Sequence, residues 1–334
     1  MGSGVIAALT GLALLIAAGV IILMLRGAAR LPLAAPSPRS LHAVAVPRVG
    51  GLSIWAGALP AIIVAAYMAP LETLAWAPAC LILVLVSLRD DMRSVSIAAR
   101  LATHALAAMW FACWTLASSS VTPLLFIVLV AMVALVVAWS LNLYNFMDGS
   151  DGLAALMAIV GFAAYAAAGS ATAATELVAV AVVAATVPLL IVNGPPARIF
   201  MGDAGAVPLG FLAAAFGIAG VVTRRWDIWF PVLVFLPFIA DATLTLLRRA
   251  WRRERWWEGH RSHYYQRLHQ LGAGHGGTLA IYGVLMAGTS ISAVICVRET
   301  PEWGSVALAA WSLLLLLPFG AIDYHWRRKS PAAP

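Results

Sequence analysis

The chain has 334 residues, 63% of them hydrophobic and only 10% charged, and its mean hydropathy is +0.93. Soluble domains carry about a quarter of their residues as charges, so this composition excludes an ordinary soluble fold and places the chain in a membrane. A net charge of +7 would point to nucleic acid in a soluble protein, but here the basic residues are better explained by their placement along the chain, and no nucleic-acid partner is expected.

Apolar stretches of spanning length recur at 5–25, 51–70, 74–88, 97–117, 122–141, 152–168, 174–192, 205–222, 229–247, 279–297 and 303–323. A span needs roughly 20 residues, so the expected fold is an all-α, polytopic helical bundle with about 11 crossings. Orientation follows from Lys and Arg, of which there are 21. All but Arg224, Arg225 and Arg298 fall on one side if the N-terminus is outside, a strong positive-inside bias that puts the C-terminus in the cytoplasm. The first stretch has no basic residue before it and Arg26 after it, the reverse of a cleavable leader. The whole chain, 1–334, reads as one integral membrane domain with cytoplasmic loops 26–50, 89–96, 142–151, 193–204 and 248–278. Cys80, Cys113 and Cys296 lie in apolar stretches without ligand spacing and read as small buried hydrophobes.

Polar residues concentrate in those loops. His42, Arg48 and a Gly-Gly pair precede the second span. Arg48 could simply anchor the interface, but it also stands where a phosphate-bearing substrate would lie. Asp90 and Asp91 end the third span, flanked by Arg89, Arg93 and Arg100, whose role has the same ambiguity. Adjacent carboxylates repel unless a cation relieves them, and acids at a membrane border are functional hypotheses by default. The fifth span runs into NLYNFMDGSDGLA, with Asn142, Asn145, Asp148 and Asp151 among glycines. After Asn193, PPARIFMGDAGAVPLG repeats this design: Gly202 and Gly205 around Asp203 permit close ligand approach, and Gly205 is expected to open the eighth helix with free amides suited to an anion. At least two of Asp90, Asp91, Asp148, Asp151 and Asp203 are expected to share a hard-cation site such as one for Mg²⁺. Mg²⁺ is commonly held by one or two carboxylates together with substrate phosphate oxygens.

The last loop begins RRAWRRERWW, which reads as a helix on the headgroup surface. It continues with His260, Arg261, His263 and Gln266, donors suited to phosphate or sugar. A zinc site lacks its usual pattern here. Asp227 and Asp323 read as snorkelling or arginine-paired acids, and mid-span His104 as a packed histidine.

Five motifs in order, His42–Gly51, Asp90–Asp91, Asn142–Ala154, Phe200–Gly210 and His260–Leu268, resemble the polyprenyl-phosphate N-acetylhexosamine-1-phosphate transferase family, glycosyltransferase family 4. The resemblance implies Mg²⁺- or Mn²⁺-dependent transfer of a sugar-1-phosphate from a UDP-HexNAc-type donor to undecaprenyl phosphate, with release of UMP, at the inner face of a bacterial cytoplasmic membrane. It implies catalytic roles for Asp90, Asp91, Asp203, His260 and His263, with the metal on Asp203, Asp91 and Asp148. His42, Arg48, Asn142, Asn145, Asp148, Asp151, Asn193, Gly202 and Arg261 are the matching substrate-binding candidates. The chain has Met92–Arg93 where the muramoyl-pentapeptide branch has a lysine, and HRSHYYQRL where that branch has consecutive histidines. In both it looks more like the O-antigen-initiating branch. Homodimerisation is left open. A transporter is the main alternative class, disfavoured because the acids lie at span ends and not at mid-depth.

Overall fold

The computed structural model describes residues 3–28, 31–34, 41, 45–169, 171–255 and 260–329. Its helices are α1 (Ser3–Arg26), α2 (Gly51–Met68), α3 (Pro70–Met92), α4 (Ile97–Leu116), α5 (Pro123–Met147), α6 (Leu153–Ala167), α7 (Ala173–Asn193), α8 (Asp203–Val222), α9 (Trp229–Val234), α10 (Leu236–Trp251), α11 (Tyr264–Leu268), α12 (Gly274–Glu299) and α13 (Gly304–Lys329). A two-residue antiparallel ribbon, β1 (Leu33–Ala34) with β2 (Val46–Pro47), is the only extended pairing among the described residues.

Nine stretches among the described residues are helical, long and apolar enough to cross a membrane, the segment from α11 through α12 counting as one. The shorter apolar α6 and the α9–α10 pair occupy the positions of the other two expected spans. The chain is a polytopic membrane helical bundle. Large side chains such as Leu15, Leu23, Ile63, Leu106, Leu135, Leu313 and Leu317 are exposed on its flanks, the pattern of a solute whose solvent is lipid.

Two expectations need correcting in detail. The ninth span is broken at Phe235 between α9 and α10, where Pro237 removes a helical amide and its ring obstructs the preceding turn. The loops are also shorter than expected. Helix α5 continues through Met147, so Asn142 and Asn145 are helical, and α3 continues through Met92. In the last loop, residues 248–251 belong to α10, followed by a turn; the end of the expected surface helix, 256–257, lies outside the described residues.

Helix α8 is the most enclosed crossing, packed by α3 and α5, with α2 against its start; α7 lies against α1, α2 and α6. Small residues let these backbones approach, as expected where lipid supplies no hydrophobic drive between helices. A Cβ on Gly51 would stand 2.3 Å from the Gly205 Cα, and one on Gly210 2.6 Å from the Ser140 carbonyl oxygen. Around the first contact, Gly50 N–H donates to the Phe200 carbonyl (2.9 Å), Gly51 N–H to Met201 (2.7 Å) and Phe200 N–H to Pro47 (2.7 Å). Trp55 Nε1 donates to the Ala204 carbonyl at 2.7 Å. The segment before α2 is thereby zipped to the segment before α8, which carries Arg48 to the side of Asp91 and Asp203.

Candidate active site

Alternating helix ends bring the polar motifs together at the arginine-rich end of the bundle. Asp91, in the last turn of α3, is only 2% exposed. Its Oδ1 accepts the Asp203 amide at 3.2 Å and its Oδ2 the Ala204 amide at 3.0 Å. It therefore satisfies two of the free N–H groups at the start of α8 and meets the positive end of that helix. Gly202 makes this geometry possible. Its φ is +74°, and a Cβ there would lie 2.1 Å from the Arg48 carbonyl oxygen and 2.8 Å from Asp91 Oδ2. The helix opens at Asp203, two residues before the expected start at Gly205.

Arg48 closes the other side. Its Nε and Nη2 donate to the Asp91 carbonyl at 3.0 and 2.8 Å, and Nη2 also to the Asp90 carbonyl at 3.1 Å. Its Nε is 3.8 Å from Asp91 Oδ1. The guanidinium caps the carbonyls at the C-terminus of α3, a favourable position for a cation. Expected as a substrate contact, it is here first a brace for the aspartate pair.

Asp90 and Asp203 face a small cavity between α3, α4, α5 and α8, whose walls include Arg100, His104, Asn142 and Asn145. Asp90 Oδ1 accepts the Val95 amide at 2.6 Å and its Oδ2 accepts from Arg100 Nη1 at 2.8 Å. The same Nη1 lies 3.7 Å from Asp203 Oδ2, so one guanidinium stands between two carboxylates. Asn142 Nδ2 donates to the Ala138 carbonyl at 2.7 Å while lining the cavity. Asp148, the C-cap residue of α5, has its carboxyl held well above the usual carboxylate range, by burial first and then by the charges of Asp203 and Asp91.

The 148–152 elbow is locked to its neighbours. Asp151, 4% exposed, accepts the Ala197 amide at 3.0 Å and lies 3.8 Å from His275. Asn193, 3% exposed, accepts the Gly152 amide at 3.1 Å and donates to the Ile199 carbonyl at 2.9 Å. Both are substrate-binding candidates from the sequence; in this structure their side chains, buried and bonded to backbone, hold the elbow to the segment after α7. Gly149 is equally constrained, since a Cβ there would lie 2.2 Å from the Tyr265 hydroxyl.

That tyrosine brings in the last loop. Asp241, fully buried in α10, accepts the Tyr264 amide at 2.8 Å and the Tyr265 amide at 2.9 Å, and it also accepts from the Tyr282 hydroxyl. It stands apart from the other acids and anchors α11. His263, 3% exposed, has Nδ1 3.4 Å from Asp241 Oδ1 and stacks on Phe146 of α5, with ring centres 6.0 Å apart. His260 stacks on His263 at 4.8 Å and shares a 2.8 Å hydrogen bond with Ser262. Burial, reinforced by the charges of His263, Arg249 and Arg267, lowers the His260 pKa to about 3, so it is a neutral hydrogen-bonding group near pH 7. Arg261 between them is exposed. His42 lies outside the described residues. Asp323 accepts from Arg248, Arg267 and Tyr264, tying α13 to α10 and α11, the paired role expected of it.

Among the described residues, no group of three or more His, Cys, Asp and Glu forms a ready-made cage. A hard cation that takes one or two carboxylates and completes its shell from phosphate and water needs none. Asp203 and Asp148 would be the oxygen donors for such a cation, which would also relieve the charge repulsion that adds to burial in raising the Asp148 carboxyl. Arg100, 3.7 Å from Asp203, would face phosphate oxygens.

Residues 73–221 match the family model described as Glycosyl transferase family 4, which agrees with the resemblance carried by the motifs. Over 124 residues the chain is 27% identical to the probable undecaprenyl-phosphate N-acetylglucosaminyl 1-phosphate transferase of Bacillus subtilis (strain 168), covering 36% of this chain and 35% of that protein. Over 68 residues it is 37% identical to the phospho-N-acetylmuramoyl-pentapeptide-transferase of Thermotoga neapolitana, covering 20% of each. The alignments thus span about a third and a fifth of these relatives.

Proposed function

We propose that this chain, with its glycosyl transferase family 4 segment at 73–221, transfers a HexNAc-1-phosphate from a UDP-sugar to undecaprenyl phosphate and releases UMP. The observation that carries the reading is the meeting of Asp90, Asp203 and Arg100 in one cavity, with Asp91 and Arg48 bracing it, at one end of a bundle that is otherwise apolar. An amphiphilic acceptor can reach such a site from the bilayer and a nucleotide donor from the aqueous side. The positive-inside bias puts that side in the cytoplasm, of a bacterial inner membrane if the acceptor is undecaprenyl phosphate.

In this reading an oxygen of the lipid phosphate attacks the sugar-linked phosphorus. The bond from that phosphorus to the bridging oxygen breaks, and UMP leaves with the electron pair. A phosphate monoester has its second pKa near 6, so the nucleophile is largely ionised at neutral pH and needs little help from a base. Arg100 positions phosphate oxygens and balances Asp90 and Asp203. Asp91 and Arg48 fix the relative position of α3 and α8, and neutral His260 with Arg261 supplies hydrogen-bond donors from the last loop, which meets α5 through the stacking of His263 on Phe146. Mg²⁺ held by Asp203 and Asp148 would neutralise diphosphate charge.

Met92–Arg93 and the spaced histidines His260 and His263 favour a GlcNAc or deoxy-N-acetylhexosamine donor and a place at the start of O-antigen or related glycan assembly. The likeness to the Thermotoga protein keeps muramoyl-pentapeptide phosphate as the second reading. The test is purified protein with undecaprenyl phosphate, Mg²⁺ and separate UDP-sugars, including UDP-GlcNAc, a 6-deoxy sugar and UDP-muramoyl-pentapeptide, with lipid products weighed by mass spectrometry. Product with the first or second supports the reading. Product with the muramoyl donor alone moves the chain to the second, and no product with any donor removes the activity.

A further inference from the structure

A groove opens between α12 and α13 at the arginine-rich end, away from the carboxylate cavity and sharing no wall residue with it. Its α13 wall is one stripe at helical spacing: Pro318, Ala321 and Ile322, then His325, Arg328 and Lys329. The stripe is apolar where it lies deeper in the bundle and basic in the last turn. Across from it stand Leu268 and Leu271, from α11 and the turn that follows, and Ile281 of α12.

The rim is ordered by contacts of its own. The Arg328 guanidinium lies over the Tyr324 ring, 4.6 Å from its centre. Lys329 Nζ reaches across the mouth to the Gln270 carbonyl. The nearby acid Asp323 belongs to the neighbouring face of α13, where Arg248 and Arg267 occupy it. Among the described residues, no acid lines the groove.

We propose that this groove is a binding site for an anionic diacyl phospholipid, with a chain along the apolar stripe and its phosphate at Arg328, Lys329 and His325. The charge pattern selects that occupant. An apolar body suits any lipid, but a basic rim without a balancing acid favours a net negative headgroup over a zwitterionic one. A polyprenyl phosphate shares that chemistry, but its reacting phosphate has to reach the carboxylate cavity, whose walls are a separate set. A lipid seated here braces Leu268 and Leu271, which continue directly from the segment carrying His260 and His263.

The test reads bound lipid and not turnover, so its outcome is independent of the transferase reading. The full chain is reconstituted in nanodiscs of phosphatidylcholine with phosphatidylglycerol, released into detergent, and its retained lipid measured by native mass spectrometry. Each basic residue near the surface contributes about fivefold to the preference for anionic lipid. Arg328→Gln with Lys329→Gln should therefore lower retained phosphatidylglycerol by roughly tenfold or more. Ile281→Trp, which fills the apolar part and leaves the rim charges, should lower it as well. Arg224→Gln with Arg298→Gln, an equal charge loss at the opposite end of the bundle, should not. Wild-type retention in both groove variants would overturn the proposal. So would an equal loss in the Arg224/Arg298 control, or retention of added undecaprenyl phosphate in place of phosphatidylglycerol.

Discussion

Replacing Asp91 should damage the fold, whereas replacing Asp203 should damage only the chemistry, although both acids belong to the same constellation. Asp91 is 2% exposed and takes the first two amides of α8, at 3.2 and 3.0 Å. Asp91→Ala leaves both amides without a partner and strips Arg48 of its nearest carboxylate. Hydrogen bonds to a charged group are worth about 1.5–3 kcal/mol each, and an N-terminal cap about 1 kcal/mol by itself. The two overlap, so the expected loss is about 3–5 kcal/mol. At about 2 °C per kcal/mol for a chain of this size, the thermal midpoint in detergent should fall by about 6–10 °C. Asp203 has a side chain 30% exposed, with its nearest cation 3.7 Å away. Asp203→Asn should leave the midpoint within about 2 °C, as for changes outside buried networks. UMP release should meanwhile fall by about 10²–10³-fold, the scale of a lost electrostatic group at a reacting centre. Scanning fluorimetry and a UMP assay on the same preparations separate the two effects. A wild-type midpoint for Asp91→Ala, or an equal fall for Asp203→Asn, would refute the division of roles.

Arg100→Gln removes the cation between Asp90 and Asp203 and should raise the KM for the nucleotide donor by about tenfold or more, with partial recovery in Arg100→Lys; an unchanged KM would exclude Arg100 from phosphate binding. Gly149→Ala places a methyl 2.2 Å from the Tyr265 hydroxyl and should lower both the thermal midpoint and activity. Tyr265→Phe on that background should restore part of the stability by removing the clashing oxygen, and a double variant no better than Gly149→Ala would contradict this packing account. Because the Asp148 carboxyl is pushed above its usual range, its proton competes with a bound cation at low pH and is lost as pH rises. Mg²⁺ should therefore activate at lower concentration as the pH rises, and Asp148→Asn should flatten that pH dependence while weakening binding throughout. A pH-independent Mg²⁺ requirement in the unmodified chain would remove Asp148 from the cation site.

Hydropathy located the nine long spans found among the described residues, because span length is a property of contiguous residues. Arginine placement then predicted that Asp90, Asp91, Asp148 and Asp203 would share one end of the bundle. Roles within that end were harder to read because they depend on partners far away in the chain. Asp90 and Asp91 are neighbours in sequence, yet one faces the cavity and the other caps a helix that starts more than a hundred residues later. Asn193 looks like a polar ligand at a span end, but it ties two backbone segments together. Asp241 has nothing near it in sequence to mark the Tyr264 and Tyr265 amides of α11 that it accepts. The break at Phe235 had a visible cause in Pro237, but length and hydropathy alone do not register a missing amide. Arg100 was one of three arginines around the aspartate pair, and only the start of α4 turns it toward Asp203.

The most direct test of the central claim follows one phosphorus atom. Purified protein is given undecaprenyl phosphate, Mg²⁺ and an accepted UDP-sugar labelled in the sugar-linked phosphate. Transfer of sugar-1-phosphate predicts that the label enters the lipid product and that the released nucleotide is unlabelled UMP. Label recovered in UDP, with sugar alone on the lipid, would contradict the account.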